Sequence, residues 1–88
     1  MTTDGCKYEI LNIEPCKRAA LWKDLIEQEL DPELGYRFPF MGEKFSKDYP
    51  RGCFLLTNEK NDKIKEVYYN FNDEGQNKNS TLEICWKV

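Results

Sequence analysis

The sequence predicts an α+β domain: one N-terminal amphipathic helix packed on a small antiparallel sheet of three or four strands, tied by two disulfides. Three observations carry that expectation. Residues 14–30 repeat apolar side chains at helical spacing. Residues 53–56, Cys-Phe-Leu-Leu, form an uninterrupted apolar run, short enough for a strand covered on both faces. Four cysteines stand near the borders of these elements in a chain of 88 residues, a length at which packing alone supplies only modest stability.

Taken in order, residues 8–13 read as a first strand with mixed alternation. Glu14-Pro15 opens the helix: proline is preset for the first helical turn, and an acidic residue there suits the helix dipole. The helix ends before Asp31-Pro32. Ala19, Trp22, Ile26 and Leu30, with Cys16 and Ala20 alongside, make an apolar stripe expected to lie on the sheet, with Trp22 its largest contact. Leu21 and Leu25 fall off the stripe, so they are either covered by the following loop or exposed as a contact surface.

Residues 31–50 read as a long loop punctuated by Gly35, Pro39, Gly42 and Pro50. Its aromatic-rich part, Tyr36-Arg37-Phe38-Pro39-Phe40-Met41, either tucks beneath the helix or presents Phe38, Phe40 and Met41 together as a binding patch. In Tyr49-Pro50-Arg51-Gly52-Cys53 a proline presets a turn and a glycine leaves it, delivering the chain into the central strand. A polar turn at residues 58–63 joins this strand to a returning one, where Val67, Tyr69 and Phe71 alternate with Tyr68 and Asn70. Asn70 is expected to close the strand end through its side chain or to contact a ligand. After a polar loop over residues 72–80, a last strand sets Leu82, Ile84, Trp86 and Val88 on one face and Cys85 on the other.

The cysteines, Cys6, Cys16, Cys53 and Cys85, lack the close pairs that structural zinc sites use, and the chain has no histidine. No metal or cofactor is expected. The remaining readings are four buried thiols or two disulfides, and of the three possible pairings Cys6–Cys85 with Cys16–Cys53 is favoured, tying the chain ends and pinning the helix to the central strand. Asn79-Ser80-Thr81 fits an N-glycosylation sequon in an exposed loop, which together with the disulfides favours an extracellular setting. The first residues lack the basic and apolar regions of a signal peptide, so the expectation is either an intracellular protein or a piece of a secreted or longer one. A net charge of −3, with scattered Lys and Arg, argues against nucleic-acid binding, and no apolar run is long enough for membrane insertion. With no histidine base, and with the carboxylate clusters Glu27/Glu29 and Asp73/Glu74 expected in water, the chain reads as non-enzymatic.

The stretches Cys16-Lys17-Arg18-Ala19-Ala20, Tyr49-Pro50-Arg51-Gly52-Cys53, Val67-Tyr68-Tyr69-Asn70 and Ile84-Cys85 resemble a short cysteine-containing module of surface or secreted proteins in algae, other protists and some large viruses. The resemblance covers most of the chain from Cys6 to Lys87, although Trp86 follows the last cysteine and the loop before it carries no further one. It implies an extracellular, non-enzymatic unit, often repeated. A weaker architectural similarity is to apple-like (PAN) adhesion domains, whose denser cysteine pattern is missing here. The resulting expectation is a binding or assembly module of a secreted, cell-surface or virion protein, a glycoprotein if Asn79 is modified. It would contact another protein, a glycan or its own copies through Tyr36, Phe38, Phe40, Met41, Tyr68 and Asn70. The alternative is an intracellular adaptor or inhibitor with reduced cysteines.

Overall fold

A computed structural model describes residues 8–30, 32–76 and 80–86. The element order is β1 (Tyr8–Glu9), α1 (Ile13–Leu30), β2 (Phe40–Lys44), β3 (Gly52–Thr57), β4 (Lys65–Asn70), β5 (Thr81–Glu83) and β6 (Cys85–Trp86). One helix lies on a four-stranded sheet of order β2-β4-β3-β5, and a separate two-stranded ribbon pairs β1 with β6.

The α+β architecture is as expected, but the sheet is mixed rather than antiparallel. β3 pairs antiparallel with both β4 and β5, whereas β2 runs parallel to β4. The reason lies in the aromatic-rich segment expected to be loop. Its backbone pairs from Arg37 onward: Arg37 donates to the Lys63 carbonyl at 3.0 Å, and Lys65 donates to the Arg37 carbonyl at 2.8 Å. The segment therefore becomes an edge strand beside β4. A register shift between Phe40 and Gly42 takes Met41 out of the ladder, and Gly42 accommodates it with φ of 124°.

Because β4 lies between β2 and β3, the connection from Lys44 to Gly52 must arch over the end of β4. There Asn70 pairs with Lys44 on one side and with Gly52 on the other. The arch brings Tyr49 over Phe54, whose ring is fully buried between Tyr49 and Tyr68, with centroids 5.5 and 5.7 Å away. Two glycines let other backbone close on the arch. A Cβ on Gly75 would lie 2.6 Å from the Tyr49 carbonyl oxygen, and one on Gly52, at φ 83°, would lie 2.8 Å from the Ile10 oxygen.

Asn12 accepts from the Glu14 amide at 3.3 Å and caps the helix. Cys16, Ala19 and Ala20 are its buried residues. Cys16 is bonded to Cys53 with 5.4 Å between their Cα atoms, so the predicted bridge from helix to central strand is present. Tethered there, and brought close by two alanines, the helix is rotated away from the expected stripe. The line continuing Cys16, Ala19 and Ala20 at helical spacing holds Lys23 and Glu27, while Trp22, the expected main contact, is 38% exposed and Leu30 is 70% exposed. Leu21 and Leu25 are exposed as well; the loop does not cover them.

The last predicted strand is broken at Ile84, which donates to the Cys53 carbonyl at 2.8 Å. The break sends β5 to the main sheet and β6 to β1, so the expected alternation fails: Leu82 and Trp86 are exposed and Cys85 is fully buried. Cys85 is disulfide-bonded. Its expected partner Cys6, like Asn79 and Val88, lies outside the described residues.

Candidate functional site

The residues singled out from sequence do not form one site. Asn70 belongs to the arch. Its side-chain oxygen accepts from the Ser46 and Asn72 amides at 3.1 and 3.2 Å. Its amide nitrogen donates to the carbonyls of Ser46, Tyr49 and Pro50 at 2.7, 3.0 and 3.1 Å. Fully buried and saturated with backbone partners, it is a structural clamp that faces no ligand. The side-chain bond back to Asn72 is the strand-closing one anticipated from sequence; the bonds to Ser46, Tyr49 and Pro50 are long-range and carried no local signal.

Tyr68 lies on the same face, half-buried, with its hydroxyl donating to Glu66 at 3.0 Å. Burial, aided by that bond, raises its pKa, so the phenol stays protonated and acts as a donor. Lys44 lies 5.1 Å from the Tyr49 ring and 4.5 Å from the Tyr68 ring, fixing the arch over the sheet. Beyond its foot, Phe45 and Phe71 lie against each other, their rings tilted by 35° with centroids 4.8 Å apart, and both residues are at least half exposed. Neither is singled out as a contact residue by the sequence: Phe45 lies in the stretch read as loop, and the alternation of Val67, Tyr69 and Phe71 marks Phe71 only as a strand residue.

On the opposite face Phe38 is buried beneath the helix, its amide donating to the Asp24 carboxylate at 3.0 Å. Phe40 is half-buried and Met41 exposed, so the three are not presented together. Tyr36 and Phe38 instead line a groove of about 470 Å³ between the C-terminal half of α1 and the sheet. Leu55 and Leu82 add to its apolar surface, and Lys23, Glu27, Thr57 and Lys65 to its polar one. Lys23 and Glu27 pair at 3.5 Å, with side chains only 27% and 24% exposed. Glu27, expected on a wet helix face, thus faces the groove. The helical rotation set by Cys16 is what puts it there, and that rotation is not readable from periodicity alone.

A third cluster joins the ribbon to the arch. Arg51 makes a two-pronged bond to Glu9, at 2.8 and 3.0 Å, which raises its pKa further. Glu83 lies nearby, and burial, with Glu9 adding like charge against the opposing effect of Arg51, pushes its pKa up. Among the described residues no group of three or more His, Cys, Asp or Glu side chains is placed to hold a metal ion, and no helix is long and apolar enough to cross a membrane.

Comparison of the chain with protein-family models, characterised proteins and solved structures finds no match.

Proposed function

We propose that the chain is a non-enzymatic binding or assembly module of a secreted, cell-surface or virion protein, with Cys6–Cys85 as its second bridge and Asn79 as its glycan acceptor. The observation that carries this reading is the Cys16–Cys53 bond, whose cysteines are both fully buried in the core of a very small domain. Disulfides that hold such small cores belong mainly to oxidising compartments. The contact surface is the exposed, tilted Phe45–Phe71 pair, an aromatic anchor of the kind that dominates protein interfaces. Phe38 and Asn70 leave the list of contact residues, since both are buried.

The intact mass of the native protein tests the compartment. A mass four hydrogens below that of the fully reduced chain is expected, because all four cysteines are then bridged. Four titratable thiols would overturn the reading and leave an intracellular adaptor. Sedimentation tests the surface: Phe45→Ser with Phe71→Ser is expected to abolish self-association of the oxidised protein. If the wild type is monomeric at all concentrations, assembly is excluded, and contact with a different protein or a glycan remains.

A further inference from the structure

The sheet-facing line of α1 changes character halfway. Cys16, Ala19 and Ala20 are buried, but the next positions on that line, Lys23 and Glu27, set an ion pair against Phe38 and Leu55. A helix packed solely for stability would carry aliphatic side chains there, since each one buried contributes about 1.5–3 kcal/mol. The chain does have such residues, in Leu21 and Leu25, and both point elsewhere. The outcome is a groove with a largely apolar surface and charged walls.

Its charges are unequal. The Glu27 carboxylate is matched by Lys23 at 3.5 Å. Lys65 lies 5.6 Å from the Tyr36 ring, and its ammonium donates to Thr57 Oγ1 at 3.3 Å. Among the described residues no carboxylate lies within ion-pair distance of Lys65. An ammonium has three protons to donate, so Lys65 retains capacity for an anion beside an apolar surface, in a molecule whose net charge is −3. We infer that this groove binds an amphipathic monoanion, with an apolar body along Phe38, Leu55 and Leu82 and a carboxylate head on Lys65 and Thr57. A cation would meet two ammonium groups, and a neutral apolar molecule would leave Lys65 as it is. The inference is independent of the contact surface at Phe45 and Phe71.

Titration of the isotope-labelled oxidised protein with decanoate, decanol and decyltrimethylammonium, followed by NMR, tests it. Decanoate is expected to shift the resonances of Tyr36, Phe38, Leu55 and Leu82, and to bind at least about tenfold more tightly than decanol, the factor that corresponds to about 1.4 kcal/mol. Lys65→Met is expected to lose about the same factor, because a hydrogen bond to a charged group contributes on that scale. Lys17→Met, which changes a lysine paired with Glu14 outside the groove, is expected to bind decanoate unchanged. The dispersed spectrum of each variant establishes that it folds, and Thr57→Val, which removes the other group of the proposed head site, serves in place of Lys65→Met if the latter does not. Absence of decanoate binding would overturn the inference, as would equal affinity for the three ligands, full affinity in a folded Lys65→Met or Thr57→Val variant, or shifts confined to the Phe45–Phe71 surface.

Discussion

At the scale of single residues, Asn70 contributes most to the form of the molecule. It meets five backbone groups, and replacing it orphans buried donors and acceptors at once. Asn70→Ala is expected to lower unfolding stability by about 3 kcal/mol, measured by chemical denaturation. Asn70→Asp is expected to be worse at neutral pH, because its carboxylate would face three carbonyl oxygens. A loss below about 1 kcal/mol in the alanine variant would show that water replaces the amide. Glu83 acts in the opposite direction. Its folded-state pKa is raised, chiefly by burial, so the native state holds its proton more tightly than the unfolded chain does. Its contribution is therefore fully favourable below the ordinary glutamate range and declines as pH rises through the folded value. Glu83→Gln is expected to flatten the stability profile just above pH 4.5, and an unchanged slope would place the titration elsewhere. The sequence assigns Asn70 only a local strand-closing or ligand-contacting role, and places Glu83 on the less apolar face of the last strand with no role of its own. Both roles come from long-range neighbours: the arch for Asn70, and Glu9 with Arg51 for Glu83.

At the scale of elements, the helix, the central strand and the hairpin were legible because each rests on a local pattern. Residues 53–56 are apolar on both alternations, and β3 is covered on both faces, by the helix and by the arch. The parallel placement of β2 was not legible. Phe40-Met41-Gly42-Glu43-Lys44 has no period-two pattern of hydropathy, although its burial alternates in the fold, and its strand character comes from pairing with β4. The two motifs of the module resemblance, Tyr49–Cys53 and Val67–Asn70, are brought together by the pairing of Gly52 with Asn70 and of Cys53 with Tyr69. In this chain they build an arch and its clamp. The helix is anchored unevenly: its buried residues all lie between Cys16 and Ala20, and beyond Glu27 its side chains are exposed. Amide hydrogen exchange is expected to be slow over residues 17–23 and at least about tenfold faster over residues 27–30. Uniform protection along the helix would mean that the groove side is held as firmly as the cysteine side.

At the scale of the whole molecule, the Cys16–Cys53 bond spans a separation of 37 residues, for which the chain-entropy relation gives about 4 kcal/mol. That is comparable to the entire stability expected of a domain this small. Replacing both cysteines by alanine is expected to lower the denaturant midpoint steeply, or to leave the chain unfolded at physiological temperature; a midpoint within experimental error of the wild type would assign stability to packing instead. The connectivity also bears on biogenesis. During synthesis Cys6 and Cys16 emerge first, ten positions apart, so the fastest crosslink open to the nascent chain joins two sulfurs that the mature fold keeps separate, since Cys16 belongs to Cys53. A Cys6–Cys16 link must be undone by thiol exchange before Cys16 can reach Cys53, so reoxidation in a glutathione buffer is expected to recover native protein in higher yield than an oxidant that traps whichever link forms earliest.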